Sequence, residues 1–530
     1  MTLQEHRISV KHAILNALMW ATAAAFLLQC AIDPSAQNIA SVCIVFVSSM
    51  AMLAYIKWSG AVDGQPLSTV ALLGFCVTTQ LGALLVQTAY WTPIRFSLFS
   101  PLLTFGTLSF YLAIALAMHA IYRFFVRHET DRVGLARGIL AWAGIYRVPP
   151  SSALWFMGFV GLVSFPFSAH EGVAARIASG FNFLTWAPFL LPLFIREVGP
   201  AYCNARRNKF MLAGYAGMVV VLGIALNVRV VMFIGLATVG LLYLLIGMRS
   251  NAPLTRKAVV RVCVLAAILA AVSPSLSDLA TSMAIARGSR GKVSPVEMVK
   301  KTLSVWRRPA LIAEYERERS AVARFAAYDE HYIENPLLAR FVETKFHDNA
   351  LHFAGALTSE NSRAQLRKVT ADQTWALLPT PVLRVLRIGV NKDELQFSLG
   401  DYLAYLSRGV PLGGRKTGSM FAQGWAVMGP LFPILYAGIC LLLYGLMDLL
   451  TVRRPSGGAT LSPLAMMSLW MFFYRGITSD ALSNSLGFIV RDFGQTVLIY
   501  VVIFGIARIM FGSQPFRGVS PVSPGWQRAT

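Results

Sequence analysis

Five arginines (Arg229, Arg408, Arg415, Arg475 and Arg491) stand beside the ends of long apolar runs in this chain. They fall on the alternate ends where the orientation rule for membrane proteins gives no reason to place a cation. A guanidinium is planar, always charged and able to grip a phosphate through two parallel N–H donors. Five of them at one membrane surface point to a phosphate-bearing, membrane-borne ligand, although each alone could be a snorkelling or ion-paired residue, and Arg491 has Asp492 beside it. Lys416 joins them in Gly413-Gly414-Arg415-Lys416-Thr417-Gly418. That loop has the composition of a phosphate cradle but follows no strand and precedes an apolar span, which excludes a nucleoside-triphosphate site. Its backbone N–H groups and two cations could still meet a lipid-linked phosphate.

Transfer of a group to a hydroxyl also needs a base within reach. The acids on the same side are Asp480, Asp401, Asp348 and Glu343. Asp480 comes first because it lies five residues beyond Arg475 on the same short connection, and Asp401 is the second catalytic candidate. The sequence has no DxD, HExxH or CxxC pattern and no dinucleotide fingerprint. His331, His347 and His352 are 16 and 5 residues apart, which does not put two ligands on one helical face. No metal and no other cofactor is expected.

The elements that must position these residues are membrane helices. The chain is 56% hydrophobic and only 14% charged, and runs of about 20 apolar residues recur, each able to cross a hydrocarbon core of about 30 Å. The expected spans are 13–32, 37–56, 68–90, 98–122, 151–169, 178–195, 210–226, 230–247, 258–274, 425–447, 461–474 and 493–511. Leu27-Leu28-Gln29-Cys30 resembles a lipoprotein box, but Gln29 stands where a small residue is required, so the first run reads as a span. All six cysteines lie in spans or short loops, as packing residues. The net charge of +22 does not make this a nucleic-acid binder, because the basic residues cluster at span ends.

Charge also orients the chain. Of 47 Lys and Arg, 21 fall in segments that are cytoplasmic if the N-terminus is inside, and only five fall in the short outer connections. The expected architecture is an all-α polytopic membrane protein of about 12 transmembrane helices, both termini cytoplasmic. It divides into a membrane bundle of nine spans (1–274), a large, mostly helical outer loop that is periplasmic if the cell is a Gram-negative bacterium (275–424), a second bundle of three spans (425–511) and a cytoplasmic tail (512–530). Within the loop, one helix is expected over Ala310 to Tyr328. Another is capped by Asn335-Pro336 and carries Leu338, Phe341, Val342, Phe346 and Phe353, and a third is boxed by Asn391 and Glu394 and stopped at Gly409.

Three stretches resemble a known family. The run from Arg415 through Gly429 into Pro430–Gly445, the Asn227-Val228-Arg229 start of a mid-chain span, and Phe473-Tyr474-Arg475 through Asp480 look like bacterial O-antigen and exopolysaccharide repeat-unit polymerases of the Wzy type. Gln423, where many members of that family carry Glu, and Val427, where Asn is common, depart from the pattern. The resemblance implies a metal-independent membrane glycosyltransferase at the periplasmic face of the bacterial inner membrane. It would move a growing glycan from undecaprenyl pyrophosphate onto a lipid-linked repeat unit, with Arg229, Arg408, Arg415, Lys416, Arg475 and Arg491 on pyrophosphate or glycan. A chain-length regulator and a flippase would be its partners. An O-antigen ligase and a polysaccharide or lipid transporter are the alternatives. The ligase lacks its GxxG follow-up after His347-Asp348, and the transporter lacks internal repeats and buried mid-membrane charge pairs.

Overall fold

A computed structural model describes residues 9–511 apart from 129–133, 169–172, 200–201, 250–254, 290–292, 324–328, 334, 336–337, 393 and 454–458. The tail 512–530 therefore lies outside the described residues, as do Pro336 and the end of the helix expected to reach Tyr328. The described residues are mostly helical, and among them there is one two-stranded antiparallel sheet.

Ten helices among the described residues are long and apolar enough to cross a membrane. Eight precede the long interval: α1 (Val10–Ile32), α2 (Ala36–Ser59), α3 (Pro66–Ala89), α4 (Pro101–Val126), α5 (Ser151–Ser168), α6 (Ile177–Arg196), α7 (Ala205–Ala225) and α8 (Arg229–Arg249). Local sequence starts and stops them. Ser9 and Ser35 accept backbone N–H bonds from His12 and Asn38 at the starts of α1 and α2, and Gly60 ends α2 in the left-handed region at φ 68°. The expected span 258–274 lies within α9 (Arg256–Ala286), which continues well past Pro274 and packs Leu279 and Met283 against α7 and α8.

In the long interval come α10 (Pro295–Trp306), α11 (Pro309–Ala323), α12 (Thr344–Gly355), α13 (Glu360–Trp375), α14 (Thr380–Val385) and α15 (Leu399–Arg408). Two expected starts move. Asn335 caps only a 3-10 turn at Leu338–Arg340, and the helix itself begins at Thr344. Asn391 and Glu394 bond each other side chain to side chain, while the cap that starts α15 is Ser398, which accepts from Asp401. Gly409 ends α15 as expected, at φ 68°.

The chain re-enters the bundle with α16 (Met420–Leu449), turns through β1 (Thr451–Arg453) and β2 (Ala459–Leu461), and finishes with α17 (Pro463–Arg475) and α18 (Leu482–Phe511). At 13 residues α17 is only about 20 Å long, shorter than a bilayer core. It is buried along most of its length, so protein rather than lipid surrounds it. Tyr111, Phe421, Tyr436 and Tyr444 form the buried aromatic centre where α4 meets α16. Charges mark the two ends. Lys11–Asp63 and Arg137–Asp448 pair at one, and Arg95–Asp33 at the other. The long interval docks on the Arg95 end, where the Tyr332 hydroxyl donates to the Ile94 carbonyl.

Candidate active site

The long interval is fastened to the bundle by α12, and a change of helical winding in α3 makes the fastening possible. Val77–Leu81 is a π-turn, which releases backbone carbonyls from the ordinary ladder. The Thr78 carbonyl accepts from the Glu343 N–H at 2.8 Å, and the Thr79 carbonyl accepts from the Thr344 hydroxyl at 2.8 Å. One turn along, Asp348 is fully buried and accepts from the N–H groups of Phe99 and Ser100, the Thr104 hydroxyl and Lys345 Nζ, at 2.8 to 3.1 Å. Its carboxylate is thus the cap of α4. Lys345 also bonds the Ser97 carbonyl and lies 4.2 Å from the Phe99 ring. With its acceptor positions occupied this way, Asp348 holds structure, not a substrate proton.

The start of α16 is tied to the same place. His347 Nδ1 and the Ser419 hydroxyl are 2.8 Å apart, and Ser419 caps α16. Burial pushes the His347 imidazole down to about 4, so it is neutral at ordinary pH. Met420 N–H donates to the Ser479 carbonyl at 3.0 Å. Gln423 accepts from Leu482 N–H at 2.8 Å and donates to Thr370 at 2.9 Å. The amide thus satisfies both partners with no charge brought into this buried position. Gly418 is needed for closeness: a Cβ there would sit 2.5 Å from the Asp480 carbonyl oxygen. These contacts place the Arg415–Gly429 stretch against the connection that carries Asp480.

Two carboxyls from distant parts of the chain lie close enough here for the charge of one to act on the other. Burial, and then the negative charge of Asp480, raise Glu343 from its ordinary 4.5 to about 7, with the Thr78 side chain pulling partly the other way. Burial also raises Asp480 above the usual carboxylate range, while the Asn484 amide and then Arg475 oppose the rise. Both side chains are only half-buried, so they border the outside rather than a sealed core.

The arginines separate into groups. Arg475 and Arg491 both pair with Asp492, Arg491 at 2.8 Å, and a second π-turn, Phe488–Asp492 in α18, carries two of the three. Their side chains are 40% and 52% exposed, so both guanidinium groups are accessible from outside the protein. Arg229 starts α8, and Trp470 of α17 packs in the same cluster as Val231 and Ile234 of α8. Arg229 and Arg475 therefore stand at the same end of two neighbouring helices.

Arg408 lies elsewhere, with its guanidinium 2.6 Å from His352 Nε2 and 5.3 Å from the Phe353 ring. Arg415 and Lys416 are held around Asp401. Their N–H groups reach the buried Asp401 carboxylate at 2.9 and 3.3 Å, and Lys416 Nζ is 3.3 Å from it. Burial alone would raise Asp401, but bonds from Ser398, Lys416 and Arg415 outweigh it and hold the carboxyl below its usual value. The loop expected to cradle a phosphate thus cradles its own chain's Asp401, which makes that residue the staple of the turn. Arg415 adopts φ 53° to permit this, and its side chain is exposed.

Among the proposed residues, the structure groups Asp480 with Arg475 and Arg491, with Arg229 on the adjoining helix end. Asp401, Arg415 and Lys416 form a second unit, and Arg408 a third. Glu343, only one of four acids in the sequence reading, lies within reach of the Asp480 charge. Thr78 was missed, although Thr78-Thr79-Gln80 is a polar interruption within an apolar run. No group of histidine, cysteine or acidic residues that could hold a metal occurs among the described residues. No protein-family model, curated protein or solved structure matches this chain.

Proposed function

We propose that this protein is a membrane-embedded glycosyltransferase that polymerises lipid-linked oligosaccharide repeat units on the face carrying the long interval. The observation that carries the reading is one mouth holding a raised carboxyl pair, Glu343 and Asp480, beside the arginines Arg475 and Arg491. The positive-inside charge bias supports a mouth on the outer face with cytoplasmic termini, and the proposed reaction would set it in the periplasm of a bacterium, with the protein in the inner membrane.

The chemistry follows from the residue types. Asp480 takes the proton of the acceptor sugar's hydroxyl, and the oxygen attacks the anomeric carbon of the donor glycan. The bond from that carbon to the undecaprenyl pyrophosphate breaks, and the pyrophosphate leaves with the electron pair. The accessible guanidinium groups of Arg475 and Arg491 meet its growing charge, with Arg229 on the next helix end. Glu343 carries a proton near neutral pH, which keeps two negative charges from sharing the mouth. A chain-length regulator and a flippase are the expected partners of such an enzyme.

Gene deletion followed by glycan length analysis tests the reading. Loss of long polymer with single-repeat caps retained supports it. Loss of all surface attachment would make the protein a ligase, and accumulation of lipid-linked units inside the cell a flippase. Arg475→Ala and Asp480→Asn should each collapse polymer to single repeats, and unchanged ladders in both would remove the proposed site.

A further inference from the structure

The segment after α13 has an unusual surface. From Pro379 to Arg387 every residue is exposed except Leu383, which is turned inward. The exposed set includes Val382 at 40%, Val385 at 82% and Leu386 at 51%, with Trp375 just before it at 44%. Between Ala376 and Lys392 there is no acid, while Arg384, Arg387 and Lys392 are basic. The backbone is nonetheless organised. Ile388 N–H donates to the Leu383 carbonyl at 2.9 Å, Lys392 Nζ to the Leu378 carbonyl at 2.6 Å, and Arg387 takes φ 55° to close the turn.

Position identifies what covers it. Leu377 reaches α18 at Gly487, where a Cβ would lie 3.0 Å from the Leu377 methyl. Val490, three residues further along α18 and about 4.5 Å deeper, is 62% exposed on a helix long and apolar enough to span the membrane. The segment thus leaves the bundle beside the outer end of α18, one turn above Arg491 and Asp492, on the headgroup side of that span. Apolar tips, flanking arginines and no acids are what an interfacial anchor requires.

We propose that Trp375 to Ile388 is a membrane-surface anchor. It seats Val382, Val385 and Leu386 at the acyl boundary of the leaflet beside Gly487, with Arg384 and Arg387 on anionic headgroup phosphates. The anchor fixes the height of α13, and through the Thr370–Gln423 bond it steadies the start of α16. It depends on no particular reaction at the neighbouring mouth.

The test uses the full chain in vesicles of phosphatidylcholine with or without phosphatidylglycerol. Cys43 and Cys263 are exposed, so the six cysteines are first replaced, and an environment-sensitive fluorophore is placed at Val385→Cys or, as control, at Ala364→Cys on the exposed side of α13. Quenching by lipid carrying a nitroxide near its headgroup should be several-fold stronger at 385 than at 364. It should strengthen with phosphatidylglycerol and lose that gain when Arg384 and Arg387 become Gln, by about fivefold in partitioning per arginine. Equal lipid quenching at the two sites overturns the proposal. So does a probe at 385 shielded from both nitroxide lipid and aqueous iodide, because protein would then cover the segment. Hydroxyl-radical footprinting of the unmodified chain in the same vesicles gives an independent reading. Val385 and Leu386 oxidised well below their own rates in the detergent-denatured chain supports the anchor, and oxidation at those full rates refutes it.

Discussion

Replacing Glu343 by Gln tests the electrostatics of the mouth without assuming the reaction. The carboxyl ordinarily titrates at 4.5 and here at about 7, so ionising it in place costs roughly 3 kcal/mol at about 1.4 kcal/mol per pH unit. Glu343 is half-buried, and water screens part of that cost, leaving about 2 kcal/mol. The sign follows from linkage. A carboxyl with a raised folded value binds its proton more tightly when folded, so its contribution is fully present below pH 4.5. It is lost as pH rises through 7. Gln mimics the protonated side chain at every pH.

Wild type and Glu343→Gln should therefore have similar stability at pH 5, and the variant should become the more stable by about 2 kcal/mol at pH 8 to 9. Thermal unfolding of both proteins in lipid nanodiscs across that range reads the difference directly. The charged neighbours are Asp480 on the connection, which opposes ionisation, and, acting on Asp480 in turn, Arg475 of α17. An Asp480→Asn background should accordingly shrink the gap. A stability difference that stays flat from pH 5 to 9 would refute the raised Glu343 carboxyl, and with it the main support for the proposed mouth.

Further consequences concern the residues that hold the site. Asp348→Ala leaves Lys345 charged and buried and strips the start of α4 of its acceptor, so it should cost about 3–5 kcal/mol, seen as a fall in the thermal midpoint of the purified protein. Asp401→Ala frees the N–H groups of Arg415 and Lys416; limited proteolysis should then cut between 409 and 418, where wild type resists. Arg415→Gly relieves a left-handed backbone and should be neutral to stabilising by up to about 1 kcal/mol. The same variant isolates the side chain's role: shorter glycan on a stable protein would assign Arg415 to the substrate, and unchanged glycan would leave it as a turn residue.

How legible all this was depends on how far apart the partners lie along the chain. The spans could be read because burial in lipid demands long apolar runs whatever their neighbours. Arg475 and Asp480 could be grouped because five residues on one tight connection cannot stray far. Glu343 could not be singled out, since what raises its carboxyl is the desolvation made by α3 and the charge of Asp480, neither of them near in sequence. Local signals also misled where tertiary bonds competed. Asn335 has the right chemistry for a cap, yet the helix waits for Thr344, whose hydroxyl and preceding N–H are claimed by carbonyls 265 residues away. Both π-turns border the mouth, one releasing the carbonyls that receive Glu343 and Thr344, the other bearing Arg491 and Asp492. A π-turn has no residue pattern of its own and survives only because outside donors or ion pairs repay the lost ladder geometry. That both occur at this one mouth means the fold concentrates its departures from ideal helix where Glu343, Asp480 and Arg475 meet, which is where strain tolerated for function would be expected.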